Sequence, residues 1–102
     1  YLRNNMAEYE THVADYYMRR QAYVAAANRG KYVIENYQRT PSVPDALVIM
    51  ARAYRALGAA ELEADAMRVL RSNYPDNPDI ALLEDPRGYE LAGEEEPFWE
   101  FW

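Results

Sequence analysis

Any chemistry in this sequence would have to start at His12, the single imidazole, and the carboxylates near it. Glu8, Glu10 and Asp15 fall within about a turn of it if the segment is helical. Paired carboxylates do acid–base work only in a pocket that pushes their pKa values apart, and on a helix they ordinarily form the solvated face. A metal site wants several ligands, which one histidine without an identifiable partner does not supply. The 102 residues include no cysteine, so disulfides, thiolate metal sites and cysteine nucleophiles are excluded. There is no glycine-rich phosphate loop, no Gly-x-Ser-x-Gly and no His-Glu-x-x-His. The residues point to binding, not catalysis, and no enzyme, cofactor or metal is expected.

The residues suited to binding are arginine and tyrosine. Arg29, next to Asn28, lies one residue before Gly30 on what reads as a packed face, about 100° round the helix. That puts its guanidinium at the edge of the buried stripe, able to pair bidentately with a partner's carboxylate. The competing reading is a solvated arginine, or a local pair with Glu35 or Asp15. Ten tyrosines offer large, stiff, amphipathic contact area. Tyr16, Tyr23, Tyr37, Tyr54 and Tyr74 fall at packing positions, with the hydroxyl expected at the rim; Tyr32, off the packed face and near Arg29, is the better contact candidate. The stretch Glu94-Glu95-Glu96-Pro97-Phe98-Trp99-Glu100-Phe101-Trp102 holds both tryptophans and both phenylalanines of the chain. Acid with clustered aromatics is the composition of a segment that docks into a groove, so Phe98, Trp99 and Trp102 are expected to cover apolar surface on the last repeat or on a neighbouring chain. The alternative is a terminus without a role.

Charge narrows the partners. Residues 1–83 carry ten acids and ten bases, while residues 84–102 carry seven acids against Arg87, which accounts for the net −6. A neutral body with an acidic tail and one lysine lacks the clustered cations that nucleic acid demands. No stretch has the apolar length of a membrane span, and no signal peptide is visible. The absence of cysteine fits either cytoplasm or periplasm.

The elements that carry these residues are helical throughout. Leu2, Met6, Tyr9, Val13 and Tyr16 step by three and four along a first helix of about 18 residues, and form its expected inward face. After Arg19-Arg20-Gln21 a second face runs Tyr23, Ala26, Ala27, Gly30, Val33, Ile34, Tyr37. Pro41 and Pro44 break the helix, with Ser42 and Asp45 a capping pair for the next. The third helix places Leu47, Met50, Ala51, Tyr54 and Leu57 inward and stops at Gly58. The fourth, from about Ala60 to Asn73, turns in Leu62, Ala66, Val69 and Leu70. Asn77-Pro78-Asp79 reads as the start of a short helix running to Glu84. No strand alternation is visible.

A shift of 37 residues aligns Ala14 with Ala51, Tyr17 with Tyr54, Ala22 with Ala59, Ala27 with Ala64, Asn36 with Asn73, Tyr37 with Tyr74 and Pro41 with Pro78. Helical hairpins repeating at this length are the mark of tetratricopeptide-type solenoids. The predicted fold is an all-α, right-handed superhelix of antiparallel hairpins: residues 1–41 and 42–77 as two repeats, 78–85 as a capping helix and 86–102 as an acidic–aromatic tail. Tyr1 begins mid-pattern, so upstream chain is expected. Two hairpins leave one end unstacked, which predicts marginal stability or self-association in isolation.

The run Glu8-Tyr9-Glu10-Thr11-His12-Val13-Ala14-Asp15-Tyr16-Tyr17, followed by Arg20-Gln21-Ala22-Tyr23-Val24-Ala25-Ala26-Ala27-Asn28-Arg29 and the two Asn-Tyr and proline closures, resembles the BamD family, a lipoprotein of the bacterial outer-membrane β-barrel assembly machine. The resemblance covers about three-quarters of the chain, in the family's C-terminal repeats. It implies a scaffold on the periplasmic face of the outer membrane, tethered by an N-terminal lipid that this sequence lacks. It implies partners too: the barrel-proximal POTRA domain of BamA, and the lipoproteins BamC and BamE. The arginine of the Asn28-Arg29 pair belongs to the BamA-facing surface in that family; Arg20, in the same matched run, joins the contact candidates. A different class of function is a peptide-binding tetratricopeptide adaptor or co-chaperone, which grips a peptide's terminal carboxylate with cations. Its clamp could draw only on Arg3, Arg52 and Arg55, with no lysine.

Overall fold

A computed structural model describes residues 2–85. It contains five helices: α1 Leu2–Arg19, α2 Tyr23–Asn36, α3 Val43–Leu57, α4 Ala60–Asn73 and α5 Asp79–Glu84. Among the described residues there is no strand, so the all-α tetratricopeptide-like class holds. Each helix packs on the next, α1 also meets α3, and α5 rests on α3 and α4.

The 37-residue period reaches down to single hydrogen bonds. Ala22 donates its amide to Tyr17 O and Ala59 to Tyr54 O, both at 2.9 Å. Tyr37 donates to Val33 O and Tyr74 to Leu70 O, both at 2.8 Å. Gln21 and Gly58, 37 residues apart, both take positive φ, 62° and 74°. The same turn thus closes both hairpins, and Gly58 gives its amide to Tyr54 O and Arg55 O as a left-handed stop.

α3 is the centre of the molecule. Val43, Leu47, Val48 and Ala51 join Ala66, Met67 and Leu70 of α4 and Leu83 of α5. On its other side Ile49 and Ala53 meet Ala14 of α1 and Ala26 and Ala27 of α2. Gly30 sets how closely α2 approaches: a Cβ there would lie 2.7 Å from Met50 Cγ and 3.0 Å from the Ala46 carbonyl oxygen.

Several inward faces differ from the periodicity reading. In α1 the buried residues are Ala7, Thr11 and Ala14, while Leu2, Met6, Tyr9 and Tyr16 are exposed. Close helix approach selects the alanine stripe, and the large residues are left on another face. Tyr16 is therefore no core residue, whereas Tyr23, Tyr37, Tyr54 and Tyr74 are half-buried. Leu57, Leu62 and Val69 are exposed, and Met67 takes the inward place in α4. Ser42 makes no side-chain cap bond, so the expected pair with Asp45 does not form. Asn77 does behave as a cap, its Oδ1 accepting the Asp79 amide at 2.8 Å.

Candidate partner-binding surface

Arg29 reaches from α2 to α1 from the edge of the buried face that Ala26, Ala27, Gly30 and Val33 form. Its Nη1 donates to Glu10 Oε2 at 2.9 Å. Glu10, with its side chain only 15% exposed, is the sheltered half of the pair and the arginine the outer half. The partner is thus neither Glu35, which meets Lys31 at 3.9 Å, nor Asp15, which meets Arg19 at 3.0 Å. One nitrogen is committed, and the planar fork is held in a fixed orientation by a carboxylate at its base.

Around it, Tyr17, Ala25, Asn28, Arg29 and Tyr32 line a shallow depression of about 350 Å³. The Tyr32 ring stands edge-on to Tyr37 at 5.9 Å, and its carbonyl accepts Asn36 Nδ2 at 3.0 Å. Burial, and then the neighbouring Tyr32, push the Tyr37 phenol above its ordinary value, so it stays a neutral hydroxyl at neutral pH. Tyr17 meets Tyr16 edge-on at 5.8 Å, and the Arg20 guanidinium lies 5.0 Å above the Tyr16 ring. The geometry therefore gathers Asn28, Arg29 and Tyr32 into one hollow and connects Arg20 to it through two tyrosine rings. Glu10, Tyr16 and Tyr17 belong to this surface as well. The sequence offered Glu10 only as a solvated carboxylate, Tyr16 only as a packing residue and Tyr17 only as a repeat identity and a member of the family-like run. Phe98, Trp99 and Trp102 lie outside the described residues.

A second hollow, of about 510 Å³, opens between α1, α3 and α5. Glu8, His12, Asp15, Asp45, Arg52 and Asp79 line it, so its walls are mainly acidic. Partial desolvation within the hollow, and then the charge of Asp79, raise the Asp45 pKa above its ordinary value, although the residue stays exposed to solvent. His12 sits 3.6 Å from Glu8, and no group among the described residues has the makings of a metal site. Of the arginines an adaptor's clamp would use, Arg55 turns away to Glu63 at 2.7 Å and to the Leu83 carbonyl, and Arg3 Nη2 donates to the Asn36 carbonyl at 3.4 Å.

The sequence profile of YfiO, an outer membrane lipoprotein family, matches residues 1–70, which hold α1, α2, α3 and most of α4. The chain belongs to the YfiO family. Its relatives carry the name outer membrane protein assembly factor BamD. One from Neisseria meningitidis serogroup A is 41% identical over 91% of this chain and 32% of its own length. One from Xylella fastidiosa strain Temecula1 is 44% identical over 76% of this chain and 26% of its own length. In Haemophilus influenzae the identity is 29% over 89% of this chain and 34% of the relative. The chain thus spans between a quarter and a third of these relatives, and the profile match takes in every residue of the Arg29 hollow. No described helix of this YfiO-family chain is long and apolar enough to cross a membrane.

Proposed function

We propose that this chain is the C-terminal part of a BamD-type lipoprotein and works as a protein–protein scaffold in outer-membrane β-barrel assembly. It acts on the periplasmic side of the outer membrane. The Arg29 surface binds the POTRA domain of a BamA-type barrel subunit, and neighbouring faces help seat BamC- and BamE-like lipoproteins. The observation that carries this reading is the hollow of Asn28, Arg29, Tyr32 and Tyr17, where an arginine pre-oriented by Glu10 stands among rigid aromatic rings. Aromatic and arginine anchors of this kind dominate protein interfaces. The adaptor reading fares worse, since Arg55 serves the fold and the α1–α3–α5 hollow is lined by Glu8, Asp15, Asp45 and Asp79.

The test is the affinity of the chain for the isolated POTRA domain. Arg29→Glu is expected to weaken binding at least ~10-fold, in line with loss of a central arginine contact. The exchange Glu10→Arg with Arg29→Glu restores the internal pair, and binding is expected to stay weak because the outward charge is still reversed. An unchanged dissociation constant for Arg29→Glu, with helicity intact, removes Arg29 from the interface.

A further inference from the structure

The hollow between α1, α3 and α5 carries a surplus of acid. Four carboxylates, those of Glu8, Asp15, Asp45 and Asp79, line it with one arginine, Arg52, and His12. Asp15 is held by Arg19 at 3.0 Å, Glu8 lies 3.6 Å from His12, and Arg52 and Asp79 each have interactions of their own. Asp45 is different: it is exposed and has no hydrogen bond or ion pair among the described residues.

The floor of the hollow holds a second open position. Ser42 is only 7% exposed, yet its hydroxyl has no hydrogen-bond partner among the described residues. None of their side-chain oxygens or nitrogens is both sealed from solvent and unpartnered. The Ser42 oxygen therefore keeps a narrow opening, and the hollow is what Ser42 lines. A buried hydroxyl ordinarily has a partner. Here the two residues expected to cap α3, Ser42 and Asp45, are both left unused by the helix and share one cavity.

The remaining surface selects the ligand. Thr11, 8% exposed, gives its proton to the Glu8 carbonyl at 2.8 Å, so toward the hollow it can only accept. Ionised carboxylates also only accept. Val48 and Ile49, each 7% exposed, add an apolar floor beside Pro41. An apolar floor under a rim of acceptors fits a long aliphatic stem that ends in donors, which is the build of lysine and arginine. A cleft lined by one sign of charge also draws the opposite charge to itself. Glu8, His12 and Asp45 are exposed, so the hollow opens to solvent across three helices and a chain can lie over it.

We propose that this hollow binds a lysine or arginine side chain presented by an extended segment of a partner protein, the stem on Val48, Ile49 and Pro41 and the charged head at Asp45 and Ser42. The site is separate from the Arg29 surface, with which it shares no residue. It has the opposite polarity to a clamp for a peptide's carboxylate.

The test is a nuclear magnetic resonance titration of the intact chain with the blocked peptide acetyl-Gly-Ser-Lys-Ser-Gly-amide, and with its norleucine counterpart, which keeps the stem and lacks the charge. The lysine peptide is expected to give saturable shifts at the amides of Thr11, Ser42, Asp45 and Val48 and none at Asn28, Arg29 and Tyr32. The norleucine peptide is expected to give none at either place. Asp45→Asn is expected to weaken binding about 5-fold, and Ser42→Ala about 3-fold, with the helical circular dichroism signal retained. Glu61→Gln removes the same charge from an exposed position on α4 and is expected to leave the affinity unchanged. Four results overturn the proposal. One is the absence of saturable shifts at the hollow. Another is equal binding of the norleucine peptide. The third is a Glu61→Gln effect as large as that of Asp45→Asn, which reduces the binding to diffuse attraction by an acidic chain. The last is butylamine binding as tightly as the peptide, which assigns the hollow to a small amine.

Discussion

Gln21 and Gly58 stand at equivalent points of two hairpins with the same left-handed torsion, yet only one of them is suited to it. A residue with a Cβ in that region carries a penalty of about 1 kcal/mol that glycine avoids. A Cβ built at Gly58 meets nothing within 4 Å, so substitution there acts through backbone conformation alone. Gly58→Ala is expected to lower unfolding stability by about 1 kcal/mol, and Gln21→Gly to raise it by up to about the same. Urea titrations followed by circular dichroism measure both, and effects of equal sign would show that the two turns are not equivalent. The stop at Gly58 could be read from its residue type. The one at Gln21 could not, because nothing about glutamine announces a positive φ.

At the scale of elements, α5 is the clearest dependent. Six residues cannot hold a helix in water on their own. Leu83 anchors it in the core, fully buried, and Arg55 reaches from α3 to bond the Leu83 carbonyl and Glu63 together. The Arg71–Glu84 pair at 2.9 Å is half-exposed on both sides and contributes little. Arg55→Met keeps the aliphatic stem but removes the donors, at a cost of about 1.5–3 kcal/mol for charge-assisted bonds. Hydrogen exchange is expected to show the amides of α5 losing protection while those of α2 and α3 keep theirs. Uniform loss across all five helices would instead make Arg55 part of the global core. Helix positions were plain in proline, glycine and three-four spacing. The buried stripe of α1 was not, since large apolar side chains dominate a periodicity reading and small ones dominate close helix packing.

Over the whole molecule, the hollow between α1, α3 and α5 couples stability to pH. Partial desolvation and Asp79 raise the folded pKa of Asp45 above its ordinary 3.8. Between that value and the raised one, the folded state binds more protons at this site than the unfolded chain does. The site's contribution to stability is therefore fully present below the unfolded pKa and is lost as pH rises through the folded pKa. Asp45→Asn is expected to remove that acid-side slope, leaving the thermal midpoint flatter with pH just above 3.8. An identical pH profile for the two proteins would rule Asp45 out as its source.

The sequence by itself determined the helical class, the hairpin turns and the period, because each is written in local signals: Pro41 and Pro78, Gly58, the Asn77 cap and identities 37 residues apart. It also carried the family resemblance, through the run from Glu8 to Arg29. Only the tertiary structure decided that Arg29 is oriented by Glu10, nineteen residues away, and that alanines form the inner face of α1. It alone showed that the residues 37 positions on from the Arg29 hollow line a mainly apolar groove of their own. These depend on which side chain of a neighbouring helix stands opposite, and that is fixed by the approach and rotation of packed helices, to which spacing along one helix is blind.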